Sequence, residues 1–341
     1  MSKMKKKKTI IIIIVLIIIA SLIFINSGRS VDIDNKEQKE QNSENISPIT
    51  GTKCPTPEQR PFAVMLAIDS KTRPLSGISQ ADIVVEMPVI TDSITRLMAV
   101  YNCQKPEEIG SIRSARHDYI PLAMGLDAIY CHWGGSHFAL DKLDNNIMDN
   151  IDALKNPYNA YYRKNNIDPP HNGFTSYQRL LNAAEKIGYR TENKFEGYPH
   201  LKDPKAKAKG GTLIIGYKGK YRVHYEYDSE TNTYLRWRND QREIDKNTYE
   251  QVSTSVVAVM KAESRQIEGP DYNDVDVEGS GEAIIYQNGE EIKGYWKKQG
   301  KDTNTKLYFL NPQGEEIKFT PGKIWIQIVE PHYEIKWQPQ Q

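Results

Sequence analysis

Cysteine is scarce: three residues, Cys54, Cys103 and Cys131, in a chain of 341. That is too few for a small scaffold held by disulfides. Excess charge of one sign is missing too. Lys and Arg total 45 against 44 Asp and Glu, a net of +1. This excludes nucleic-acid binding through bulk electrostatics. Apolar residues make up 38% and charged residues 26%, so the bulk is neither disordered nor a polytopic membrane protein. No Gly-x-Ser-x-Gly elbow occurs, which argues against a serine hydrolase of that type. No two histidines have the i, i+4 spacing of a zinc helix.

The one long apolar run lies at the N-terminus. Lys3 and Lys5 through Lys8 precede Thr9–Ile25, an uncharged stretch dominated by isoleucine. As a helix it spans roughly 26 Å, enough to cross a hydrocarbon core. The lysines then stay in the cytoplasm under the positive-inside rule. The pattern predicts a single-pass cell-membrane protein: 1–27 as lysine run and transmembrane anchor, with the bulk of the chain extracytoplasmic. A cleaved signal peptide is the alternative. A lipoprotein signal needs a cysteine just past the apolar run, and the first here is Cys54. Beyond Ser27, 40 basic residues stand against 44 acidic ones, a net of −4. Anion binding therefore has to come from a local cluster.

Residues 28–60 are rich in Ser, Asn, Gln, Glu, Lys and Pro, which predicts a disordered linker. From Pro61 the pattern changes. Apolar runs at 62–67, 82–87, 95–101 and 127–132 read as strands. They alternate with helices over 114–124, interrupted by Pro121, over 136–143, and over 176–187 closed by Gly188. This predicts a mixed-sheet, layered α/β domain over 61–195. Residues 196–335 carry short strands and turn signals, with the strongest hairpin signal at Asn288-Gly289. They predict a mostly antiparallel β domain, making the whole an α+β chain. Cys103 and Cys131 are expected to be free and buried.

Several phrases together resemble the YerB-like lipoprotein family, a domain of unknown function. They are RPFAVMLAID (60–69), RPLSGISQADIVVE (73–86), ITRLMAVY (94–101), IGSIRSARHDYIPLAMGLDAIYCHWGGS (109–136) and PPHNGFTS (169–176). GSGEAIIYQNGEEIKGYW and PGKIWIQIV extend the likeness to about residue 331. The resemblance implies a two-part α/β fold outside the cytoplasmic membrane and supplies no activity. The chain departs from the family in lacking the lipobox cysteine.

The segment 110–119 marks a loop-to-helix boundary, where free N–H groups favour anions. Arg113 and Arg116 add fork-shaped donors there, with Ser114 between them as a helix cap. Their alternative role is pairing with Glu86 and Asp118. Arg96 and Glu86, near strand ends, complete the acid and base inventory of the ligand-binding set. His132 precedes two glycines, and its ordinary pKa suits acid/base work. Ser136 reads as a helix cap, His171 and Asn172 as loop residues before a helix. Arg113, Arg116, His132, Ser136, His171 and Asn172 are expected to converge on one cleft. No metal or cofactor is expected. The acidic loop Asp271–Glu278 has only a slight likeness to a calcium loop.

Three functions compete: binding an anionic or sugar-containing cell-envelope ligand, an envelope hydrolase or transferase using His132 or His171, and a protein-interaction platform. The membrane is the expected partner through Thr9–Ile25. A cell-wall or anionic small molecule is the expected ligand, and no nucleic acid is expected.

Overall fold

The computed structural model describes residues 45–340. Thr9–Ile25 and most of the predicted linker lie outside them. Among the described residues no helix is long and apolar enough to cross a membrane.

Strands form where the apolar runs are continuous: β1 (Phe62–Leu66), β2 (Ile83–Pro88) and β3 (Thr95–Tyr101). There follow β4 (Ile109–Gly110), α1 (Tyr119–Gly125), β5 (Ile129–His132), α2 (His137–Asp144) and β6 (Asn150–Asp152). Then come β7 (Tyr162–Arg163), β8 (Gly173–Thr175) and α3 (Tyr177–Ile187). The second half is β9 (Gly210–Ile215), β10 (Val223–Asp228), β11 (Thr233–Arg238), β12 (Gln241–Arg242), β13 (Ser253–Thr254) and β14 (Val256–Lys261). It ends with β15 (Ser264–Glu268), β16 (Tyr272–Val275), β17 (Gly279–Gln287), β18 (Glu290–Lys298), β19 (Tyr308–Leu310), β20 (Ile324–Val329) and β21 (Lys336–Gln340). The fold is α+β with a β-rich second half.

Ten strands make one sheet in the order β19-β18-β17-β14-β20-β2-β3-β1-β5-β6. It crosses the boundary predicted at 195/196, because β2 pairs in parallel with β20, from Ile83↔Ile324 to Glu86↔Gln327. The two halves thus share a sheet. Parallel partners can lie far apart along the chain, so local composition does not report such a pairing.

Alternation along the strands gives the sheet two apolar faces. Ala63, Met65, Val85 and Met98 pack with Tyr119 and Ile120 of α1 and Ala139 of α2. Val64, Val84, Leu97 and Trp325 pack on the other side with Leu180 of α3 and with Leu213, Val223 and Tyr225. Those last three belong to a second, antiparallel sheet in the order β12-β11-β10-β9-β21, with β13 on β11.

Three local expectations are corrected. Residues 45–60 are not a disordered linker: Ile49 is fully buried, and Cys54 forms a disulfide with Cys103, Cα atoms 5.1 Å apart. Cys103 is therefore not free, whereas Cys131 is free and buried. The helix expected from Ser114 starts at Tyr119, which puts Pro121 in the first turn, where a missing N–H leaves no bond unmade. Ser136, in contrast, caps α2 by accepting from the Ala139 N–H. Gly188 closes α3 at φ 89°. Asn288 and Gly289 turn the β17–β18 hairpin with φ of 56° and 73°, the left-handed pair such a turn requires.

Candidate functional site

β1, β5 and β6 run parallel, as do β2, β20 and β14. Since β3 is antiparallel to both β1 and β2, all six point the same way. Their carboxyl ends share one edge, the place where open sheets of this kind gather ligands. β3 begins at that edge with Thr95 and Arg96. The loop 111–118 runs beside it, tied to β1 by the Arg113 N–H donating to the Met65 carbonyl at 2.9 Å.

Three arginines border this edge. Arg113 donates to the Pro170 carbonyl and to His171 Nδ1, and pairs with Asp69 at 3.3 Å. Arg116 donates to the Val89 and Asp271 carbonyls at 2.7 and 2.6 Å, its guanidinium 5.2 Å from the Tyr272 ring centre. Arg96 donates to the Ser114 carbonyl at 3.4 Å and has no carboxylate ion pair among the described residues. Burial, then the charges of Arg116 and Arg113, push its pKa down to about 10. Burial and Arg113 also hold the His171 pKa below its ordinary value. A guanidinium can only donate, so Nδ1 of His171 accepts from Arg113.

Glu86 lies on the opposite face. It pairs in register with Leu97, and Arg96 with Met87, so alternation sends the two side chains to opposite sides. Glu86 is fully buried between the sheets and holds Arg236 at 2.5 Å and Arg238 at 2.9 Å, with Thr95 Oγ1 donating at 2.7 Å. Glu243 receives Arg236 Nε at 2.8 Å. The alternative role of Arg113 and Arg116, pairing with Glu86, is not seen among the described residues, where Glu86 holds Arg236 and Arg238 instead.

Of the six residues expected on one cleft, Arg113 meets His171, while Ser114 offers its carbonyl to Arg96 and Arg116 reaches the Val89 and Asp271 carbonyls. His132 does not join: it is fully buried, with Nδ1 on the Gly134 carbonyl at 2.8 Å and Nε2 on Asn150 Oδ1 at 3.2 Å. Both nitrogens are engaged, so it exposes neither to a ligand. Ser136 is consumed as a cap, and Asn172 Oδ1 accepts from Arg163 at 2.7 Å. These three side chains position loops.

Sequence reasoning missed a second group. His117 Nε2 lies 3.1 Å from Asp118 Oδ1 and 3.2 Å from Asp274 Oδ1. They open on a cavity of about 580 Å³ that Lys142 and Arg265 also line. Burial and the neighbouring Asp274 carboxylate raise the Asp118 pKa well above its ordinary value. One imidazole and two carboxylates form a donor set that could hold a divalent cation, although Arg265 already neutralises Asp274. The alternating acids of 271–278 were the signal for it.

Comparison with known proteins agrees with this architecture. Residues 49–190 match the model of the "Protein of unknown function (DUF3048) N-terminal domain", and 213–326 that of its C-terminal domain. The chain is 32% identical over 291 residues to "Putative lipoprotein YerB" of Bacillus subtilis (strain 168), covering 83% of this chain and 86% of that protein. The crystal structure of the YerB protein from Bacillus subtilis superposes with a TM-score of 0.77 at 29% identity, covering 86% of this chain and 99% of that one. The chain belongs to the DUF3048 family.

Proposed function

We propose that this DUF3048 protein is anchored in the cell membrane by Thr9–Ile25 and binds an anionic or sugar-containing ligand of the cell envelope at its arginine edge. The observation that carries the reading is the charge imbalance there. Arg96 feels the positive charges of Arg116 and Arg113 and has no carboxylate ion pair among the described residues, and Asp69 pairs with only one of the three. Like charges held in a half-buried place favour an anion between them, and arginine forks suit phosphate and carboxylate. The relative's description as a lipoprotein supports an extracytoplasmic setting, as does the lysine-flanked apolar run. Catalysis by His132 finds no support, because both of its ring nitrogens are engaged inside the protein.

Titration calorimetry with peptidoglycan fragments and phosphorylated envelope sugars tests the binding. Arg96→Ala and Arg113→Ala are each expected to weaken it at least about tenfold. Undiminished binding by both variants overturns the reading. Protease added to intact protoplasts tests the anchoring; it is expected to digest the chain beyond Ser27, and full protection rejects it.

A further inference from the structure

We propose that the cavity between the Arg73–Leu75 turn and the β11–β12 hairpin binds one small hydroxylated anion, a sugar acid or sugar phosphate. This pocket is distinct from the arginine edge and does not rest on the reading given for it. It encloses about 350 Å³ and is lined by Arg73, Pro74, Leu75, Arg238, Glu243 and Ile244 among others. That is the small end of ligand pockets, room for a single sugar residue.

Its lining includes Glu243, one of whose carboxylate oxygens the protein leaves unmet. Arg238 is 1% exposed and donates through Nη2 to both oxygens of Glu86 and through Nη1 to the Tyr221 carbonyl. Its Nε makes no hydrogen bond but faces Glu243 Oε2 at 3.4 Å, an ion pair within the protein. Glu243, 5% exposed at the side chain, receives Arg236 on Oε2, while Oε1 has no partner. Buried groups of this kind are almost always satisfied, by protein, water or ligand. Arg73 stands over them half-buried. Its Nε donates to the Ile68 carbonyl at 3.2 Å, and it forms no ion pair among the described residues.

Two unmet demands define the occupant. Arg73 needs a negative charge, and Glu243 Oε1 needs a donor. Arg73, Arg236 and Arg238 outnumber Glu86 and Glu243, so the pocket keeps a positive excess even with its internal pairs made. A bare anion leaves Glu243 Oε1 unmet, and a neutral sugar leaves Arg73 unmet. A molecule with both an anionic group and hydroxyls meets both. Pro74, Leu75 and Ile244 offer an apolar wall for its C–H face.

The test is titration of the full-length protein with glucuronate and with glucose 6-phosphate, using acetate, inorganic phosphate and glucose as controls. Either sugar anion is expected to bind at least about tenfold more tightly than every control, and the tighter one identifies the anionic group. Arg73→Met and Gln241→Trp are each expected to abolish the binding; the second blocks the exposed rim without removing a charge. Arg96→Ala is expected to leave it unchanged, which separates this pocket from the arginine edge. The proposal is overturned if neither sugar anion binds at millimolar concentration, if acetate or phosphate binds equally well, if Gln241→Trp binds like the parent, or if Arg96→Ala loses binding as well.

Discussion

Glu86 and Arg238 meet across the gap between the two sheets, one guanidinium nitrogen donating to both carboxylate oxygens at 2.9 Å. Arg236 reaches the same carboxylate from the next inward position of β11. All three side chains are at most 1% exposed. A charge so placed is tolerable only while its partners remain. The carboxylate therefore locks β11 against β2, and through β2 the meander against the large sheet.

Replacing Glu86 by Gln leaves two buried guanidiniums with only Glu243 opposite them. The expected loss is about 3–5 kcal/mol of unfolding free energy, read from urea denaturation. A loss under about 1 kcal/mol shows the network to be dispensable.

Arg96 behaves oppositely. Burial and two like charges already disfavour its charged form. Arg96→Met is expected to melt at the same temperature as the parent or higher in the absence of ligand, while losing any stabilisation by added phosphorylated sugars. Early melting marks Arg96 as structural.

Asp118 sets a dependence on pH. Its folded-state pKa lies above the unfolded value of about 3.9. The folded state then holds the proton more tightly, so its stabilising contribution is complete below that value and is lost as pH rises through the folded pKa. Asp118→Asn removes the penalty of ionising a buried acid beside Asp274. The variant is expected to gain stability over the parent progressively as pH rises above about 4, measured by thermal melts. A gap that does not widen with pH refutes the assignment.

The Cys54–Cys103 bond closes a loop with a sequence separation of 49 residues. Chain entropy assigns such a closure about 4 kcal/mol. The double Cys54→Ala, Cys103→Ala variant is expected to lose most of that in denaturant melts. Intact mass of the unreduced parent is expected two hydrogens below the reduced chain, with peptide mapping placing the deficit on this pair.

Local signals were legible in the sequence. Continuous apolar runs located β1, β2 and β3, Ser136 and Gly188 marked helix ends, and Asn288-Gly289 fixed a hairpin. What escaped were relations between distant segments. β2 and β20 lie some 240 positions apart, and nothing in either run names the other. The buried arginines left a trace: TYLRWR alternates, so Arg236 and Arg238 share the inward face with Tyr234. An inward arginine demands a buried acid, and Glu86 sits in an otherwise apolar run; only the fold could match them. Arg113 and His171 were named as partners of one cleft and do meet. His132 was drawn to the same cleft by its glycines, which instead bend the loop so that the Gly134 carbonyl accepts from the imidazole.

The parallel pairing of β2 with β20 has a consequence for how the molecule can be divided. The register from Ile83↔Ile324 to Glu86↔Gln327 runs through the middle of the ten-stranded sheet. Each half, made alone, presents a long bare strand flank with no partner, an invitation to aggregate. Made together as two polypeptides broken in the exposed stretch 202–207, they hold complementary flanks and opposite members of the Glu86–Arg238 pair. Co-expressed fragments thus have the makings of a split protein, each serving as the other's folding template.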